Sequence, residues 1–241
     1  MDSKLEAKLT KRNEEGTMRS LSFSSASCDF FSNDYLGFSK IKSVEIASSE
    51  NGGTGSRLIS GNSNEAIQCE KSLARFFNSE AALVLNSGYV ANLAFFSTLP
   101  QRGDTIIYDE NIHASVRDGI RLSLANSFAF KHNSIEDLVR KLKQASGSIY
   151  IAVESLYSMD GDFAPLAEIV AVSNENNAYL IVDEAHACGV FGESGRGIVD
   201  LLGLNEFVFA KVVTFGKAYG AHGACVLGEK KMTDFLVNFA R

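Results

Sequence analysis

Residue types capable of covalent and proton-transfer chemistry stand directly after short apolar runs in this chain. Lys217 lies in Val212-Val213-Thr214-Phe215-Gly216-Lys217-Ala218-Tyr219-Gly220, with a glycine before it and another three residues on. Glycine lets backbone approach a bound molecule closely, and a lysine amine can form a Schiff base with a carbonyl cofactor. Asp183 opens Asp183-Glu184-Ala185-His186 straight after Tyr179-Leu180-Ile181-Val182. A carboxylate there loses water on its strand side and needs a cation or an N–H partner, and His186 can face the same ligand. Asn86-Ser87-Gly88-Tyr89 follows Ala82-Leu83-Val84-Leu85 and leads into a helical pattern with Asn92, Leu93 and Phe96. Free N–H groups at such a helix start favour a phosphate. His113 comes shortly after Thr105-Ile106-Ile107-Tyr108, and Glu154, Ser155 and the loop Tyr157-Ser158-Met159-Asp160-Gly161-Asp162 follow Ile149–Val153. Taken singly, a lone histidine, a strand-to-helix turn or an Asp-Gly turn is usually structural.

Competing templates fail on the same residues. Asp183-Glu184-Ala185-His186 also reads as a helicase DEAH box, which needs a G-x-x-x-x-G-K-[ST] loop on its N-terminal side. The one Gly-Lys pair, Gly216-Lys217, lies downstream, has Lys211 where the first glycine belongs, and is followed by Ala218. Gly53-Thr54-Gly55-Ser56-Arg57-Leu58 lacks the last glycine of a dinucleotide fingerprint, and Gly192-Glu193-Ser194-Gly195-Arg196 ends in arginine where a nucleophile elbow needs glycine. There is no His-Glu-x-x-His, and the cysteines at 28, 69, 188 and 225 form no Cys-x-x-Cys pair. Metal sites are therefore not expected, and the cysteines read as buried free thiols. Lys211 has no glycine beside it and is expected to be a solvated or strand-end charge.

Positioning such groups requires a scaffold, and the patterning supplies one. The apolar runs at 82–85, 105–108, 149–153, 179–182 and 207–209 alternate with helix-length segments. Ser134-Ile135-Glu136-Asp137 starts one of these with an N-cap signature, Asn64-Glu65-Ala66-Ile67 opens another, and Pro165-Leu166 a third. The alternation predicts an α/β domain, a mostly parallel sheet flanked by helices, with ligands beyond the carboxyl ends of the strands. At 241 residues, 45% hydrophobic and 22% charged, the chain allows one large domain or one plus a fragment. A net charge of −6 gives no footprint for nucleic acid or an anionic membrane. The charged N-terminus and the lack of any apolar run near ~18 residues predict a cytoplasmic protein.

One cofactor uses all of these groups at once. Pyridoxal phosphate needs a lysine for its aldehyde, an acid for its pyridine nitrogen, and a helix start with hydroxyls for its phosphate. Lys217, Asp183, Ser87-Gly88-Tyr89 and Thr214 supply them in order along the chain.

The strings Asn33-Asp34-Tyr35-Leu36-Gly37, Gly53-Thr54-Gly55-Ser56-Arg57-Leu58-Ile59-Ser60-Gly61, Ser158-Met159-Asp160-Gly161-Asp162, Asp183-Glu184-Ala185-His186 and Thr214-Phe215-Gly216-Lys217 resemble those of the α-oxoamine synthases. These are pyridoxal-phosphate enzymes of the aspartate-aminotransferase fold, known as fold type I, and the resemblance runs from about Phe30 onward. It implies that Lys217 bonds the cofactor, that Asp183 pairs with its ring nitrogen, that His186 bonds its ring hydroxyl and that His113 stacks on its face. Gly88, Tyr89 and Thr214 would hold the phosphate beside Ser87, Ser158 and Asn33 would lie near cofactor and substrate, and Arg19 would bind substrate. The implied reaction joins an amino acid to an acyl thioester, carried by CoA or an acyl carrier protein, with loss of CO₂. Thr214-Phe215-Gly216-Lys217-Ala218-Tyr219 favours L-alanine with a pimeloyl thioester, the biotin-pathway pair, over glycine with an acetyl thioester, for which leucine is expected at 215. The resemblance further implies an N-terminal helix and extended segment over 1–45, a cofactor-binding large domain over 46–241, no C-terminal small domain in this chain, and a homodimer with active sites at the subunit interface. The alternative is a truncated remnant that folds without turning over.

Overall fold

The computed structural model describes residues 2–21, 28–41 and 52–240, so the predicted boundary at 45/46 lies outside the described residues. Two compact units are present, 1–32 and 33–241. The first contains helix α1, Asp2–Glu14.

The second unit is built on seven strands, β1 Ala81–Leu85, β2 Thr105–Asp109, β3 Asn126–Phe130, β4 Ile149–Glu154, β5 Tyr179–Asp183, β6 Ala210–Thr214 and β7 Ala224–Gly228. They form one sheet in the order β1-β7-β6-β5-β4-β2-β3, parallel except where β7 pairs with β1 and β6. The helices before, between and after them are α2 Asn64–Phe76, α3 Gly88–Thr98, α4 Ala114–Leu122, α5 Ile135–Leu142, α6 Leu166–Glu175, α7 Ile198–Leu201 and α8 Lys230–Phe239. The expectation of a mostly parallel sheet flanked by helices is met.

Strand periodicity divides the core between the two sheet faces. Ile106, Ile181, Val212 and Val226 pack with Phe95 and Phe96 of α3, Val116 and Ile120 of α4, and Leu236 of α8. Their neighbours in sequence, Ile107, Leu180 and Val182, pack with Leu138 and Leu142 of α5 and Leu166 and Ile169 of α6. Helix starts follow the caps: Ser134 Oγ accepts from Asp137 N, as anticipated, and Pro165 precedes α6. The cap of α2 is Ser63, one residue before the predicted start, because its hydroxyl accepts from Ala66 N.

Three expectations are corrected. Phe207-Val208-Phe209 is not a strand: Asn205–Phe207 form a 3₁₀ turn, and the strand begins at Ala210. Lys211 is not solvated: it points to the face opposite Val212, where its Nζ donates to Phe77 O at 2.8 Å and Asn205 Oδ1 at 2.6 Å. Of the four thiols, Cys188 and Cys225 are buried, but Cys28 and Cys69 are exposed.

Candidate active site

Parallel strands that end together place their last residues side by side, and here those residues are polar. Glu154 closes β4 directly opposite Asp183, which closes β5, and Thr214 closes β6. A cavity of about 110 Å³ lies at these ends, lined by Gly88, Tyr89, Asn92, His113, Ser115, Glu154, Asp183, Ala185, His186, Thr214 and Lys217. Each strand delivers its side chain through a short turn. Ser87 caps α3 by accepting from Val90 N at 3.2 Å, leaving the first-turn N–H groups of Gly88 and Tyr89 free of intrahelical partners. A side chain at 88 would meet Thr214 Cβ at 3.3 Å, so glycine is what lets the start of α3 lie against the end of β6.

Two hydrogen-bond chains organise the site. In the first, Asn92 Nδ2 donates to Asp183 Oδ2 at 2.7 Å and to Ser115 Oγ at 3.0 Å. Ser115 Oγ lies 2.7 Å from His113 Nδ1, which also accepts from Ser115 N at 3.2 Å. Nδ1 is thus the acceptor nitrogen, and the neutral ring carries its hydrogen on Nε2. The second Asp183 oxygen accepts from Ala185 N at 2.9 Å. The partner that the Asp183 carboxylate needs is therefore an amide N–H on each oxygen. In the second chain, Lys217 Nζ lies 2.6 Å from His186 Nε2, and His186 Nδ1 lies 2.7 Å from Tyr35 Oη. Tyr35 Oη in turn donates to Asn33 Oδ1 at 3.2 Å.

Burial and neighbouring charge tune these groups. Burial, reinforced by the Lys217 charge, pulls the His186 pKa down to about 4, so the ring is neutral at pH 7 and its Nε2 can accept from the lysine. Burial lowers the Lys217 pKa below its usual value, against the opposing charges of Asp183 and Glu154. Burial, then the charge of Asp183, pushes Glu154 up to about 8, although its carboxylate accepts from His113 N at 2.7 Å.

Residues 27–241 match the family Aminotransferase class I and II. The chain belongs to that family.

Class I and II aminotransferase-family proteins resembling this chain include the 8-amino-7-oxononanoate synthase of Emericella nidulans. It is 42% identical over 266 residues that take in 100% of this chain and 64% of the relative. A putative 8-amino-7-oxononanoate synthase of Bacillus licheniformis is 40% identical over 100% of this chain and 65% of its own length. The chain thus spans about two-thirds of the length of these curated relatives. Among solved structures, a serine palmitoyltransferase from S. paucimobilis with bound PLP-myriocin aldimine superposes with a TM-score of 0.87 at 29% identity, covering 98% of this chain and 65% of that one. An 8-amino-7-oxononanoate synthase from Francisella tularensis gives 0.74 at 30% identity, covering 87% and 60%. These relatives bear out the α-oxoamine synthase resemblance and its fold type I architecture, and pyridoxal phosphate is the cofactor of this family.

The fold brings Gly88, Tyr89, His113, Asp183, His186, Thr214 and Lys217 into one cavity. Ser87 stands at its edge as the α3 cap, and Asn33 connects to it through Tyr35. Ser158 is exposed in the turn after β4 and is not among the lining residues, and Arg19 is exposed in the first unit. Sequence reasoning assigned no role to Asn92, Ser115, Glu154 or Tyr35. Glu154 alone carried a usable signal, as an acid at a strand's carboxyl end.

The donor set fits pyridoxal phosphate. Among the described residues Asn92 Oδ1 is buried with no hydrogen-bond partner beside Asp183, and an acid, an amine and a helix start converge on the same space.

Proposed function

We propose that this chain is the cofactor-binding part of a PLP-dependent acyltransferase that condenses L-alanine with a pimeloyl thioester. Thiol and CO₂ leave, and 8-amino-7-oxononanoate is the product. The observation that carries the reading is the convergence of the Lys217 amine, the Asp183 carboxylate and the start of α3 on one cavity.

When bound, pyridoxal phosphate supplies an electron sink for the charge left at the amino acid Cα. Lys217 would hold the cofactor aldehyde, and its amine would take the proton from the amino acid Cα. Its lowered pKa raises the fraction of free amine available for that step. Asp183, held by Asn92 and Ala185 N–H groups, would keep the ring nitrogen protonated. His186 would bond the ring hydroxyl, His113 would cover the ring face, and Gly88 and Tyr89 N–H with the Thr214 hydroxyl would hold the phosphate. Asn33, Ser158 and Arg19 are assigned to substrate and cofactor contacts on the resemblance alone. The same proposal includes a homodimer, which a dilution-resistant monomer in light scattering would contradict.

A second reading, serine with a long-chain acyl thioester, is favoured by the serine palmitoyltransferase neighbours and by a Caulobacter vibrioides serine palmitoyltransferase 43% identical over 80% of this chain. A hydrophobic pocket discriminates one methylene by only ~1–3 kcal/mol, so substrate choice needs a direct assay. The PLP-loaded protein is offered alanine with pimeloyl thioester, serine with palmitoyl thioester, and glycine with acetyl thioester, and released thiol and CO₂ are measured. Fastest release with the first pair supports the proposal, and faster release with another pair overturns the substrate. Retained cofactor without release from any pair overturns the acyltransferase reading in favour of a non-catalytic remnant.

A further inference from the structure

Away from the cavity, at the carboxyl end of β2, a histidine lies between two carboxylates. His132 Nδ1 is 2.8 Å from Asp109 Oδ1, and Nε2 is 2.8 Å from Asp162 Oδ2. An ionised carboxylate only accepts, so both ring nitrogens must donate, and the ring that satisfies both contacts is the imidazolium. Asp109 is fully buried and fixed from elsewhere: Oδ1 also accepts from Asn111 N at 2.8 Å, and Oδ2 from Asn133 N at 2.9 Å. Asp162 belongs to the turn after β4, which closes on itself through Gly161 N to Tyr157 O and Tyr157 N to Asp162 O.

We propose that His132 is a positioning residue, a charged clip that ties the 157–163 loop to the end of β2 by bridging Asp162 to Asp109 and lets the loop go when the ring loses a proton. Neutral imidazole has one donor and one acceptor nitrogen, so one carboxylate would then face a lone pair.

The surroundings favour the charge. Glu110 Oε1 accepts the His132 backbone N–H at 3.1 Å and Asp160 stands in the same cluster as Asp162; the buried Tyr157 ring, centred 4.5 Å away and perpendicular to the imidazole, packs beside it. Burial opposes protonation, but the hydrogen bonds and charges of Asp109 and Asp162 outweigh it and lift the pKa above the ordinary 6.5. The tie is therefore fully present below 6.5 and is lost as pH rises through the raised value. Asn133 backs it up, donating from Nδ2 to Asp162 Oδ2 at 2.7 Å and Phe163 O at 3.1 Å, so loss of the proton loosens the loop without unfolding the sheet. The loop carries Ser158, and the link to cofactor binding, unlike the clip itself, rests on the reading proposed above.

The test is an NMR titration of the histidine rings in the EDTA-treated chain, with His132→Asn to assign the signal, alongside amide hydrogen exchange of residues 158–162. The expected result is a His132 ring protonated on both nitrogens that titrates above 6.5, with loop exchange, corrected for its intrinsic pH dependence, accelerating through the same pH. Each unit of elevation corresponds to about tenfold in the loop equilibrium. Asp162→Asn, which keeps the side chain's shape, should lower the His132 pKa and flatten the exchange profile. A His132 pKa at or below 6.5, or one unmoved in Asp162→Asn, overturns the clip. So does a loop that is loose at every pH until a divalent cation is added, since His132, Asp160 and Asp162 would then be metal ligands. None of these readouts requires bound cofactor, so failure here is distinguishable from failure of the cofactor assignment.

Discussion

Lys211 and Lys217 lie six residues apart, one within β6 and one just past it, and their amines meet different surroundings. Lys211 Nζ is closed off by Phe77 O and Asn205 Oδ1, with the Phe77 ring 6.0 Å away. Lys217 Nζ meets the neutral His186 ring and opens on the cavity at the strand ends. Burial lowers the pKa of both, so a depressed lysine pKa by itself does not mark the reactive one. What separates them is that the Lys211 amine is closed off by two acceptors whereas the Lys217 amine has one and borders the cavity.

The largest expected difference between the two lysines is in cofactor attachment. Lys217→Ala should abolish covalent retention of pyridoxal phosphate on dialysis and lower any turnover by about 10²- to 10⁴-fold, while Lys211→Ala retains the cofactor. Stability should show the reverse. Lys211→Ala strands the buried Phe77 carbonyl and the half-buried Asn205 Oδ1 and opens a cavity, at a cost of about 2–4 kcal/mol, or roughly 5–15 °C in thermal midpoint, whereas Lys217→Ala should melt close to the parent. Asn92→Ala should weaken pyridoxal phosphate binding by about 10- to 100-fold in a fluorescence titration, because its amide bond orients the Asp183 carboxylate. A pH-dependent effect concerns the acid near Lys217. Glu154, with its pKa raised to about 8 from 4.5, contributes stability below pH 4.5 that is lost as pH rises through 8. Glu154→Gln removes that loss, so its thermal midpoint relative to the parent should climb between pH 5 and pH 8.

Strands such as β5 were legible because unbroken apolar runs like Leu180-Ile181-Val182 have no solvent side to interrupt them, but β7, Ala224–Gly228, equally buried, was not among the runs read. Edge strand β3, Asn126–Phe130, escaped because its first two residues are exposed and polar. Phe207-Val208-Phe209 misled for the opposite reason, since Val208 and Phe209 pack from the exit of a 3₁₀ turn whose Phe207 stays exposed. In the site, Asp183, His186 and Lys217 could be read because each stands within four residues of the end of an apolar run. Asn92 and Tyr35 could not: their partners lie 91 and 151 residues away in sequence and are met only after the sheet has formed. Lys211 was misjudged likewise, because its carbonyl partner is 134 residues distant.

The central claim, that Lys217 and not Lys211 is the cofactor lysine, is tested most directly by chemical capture. The protein is mixed with pyridoxal phosphate, reduced with borohydride, digested and mapped by mass spectrometry. A single phosphopyridoxyl adduct on Lys217 is the expected result, and an adduct on Lys211, or none on either lysine, would contradict the account.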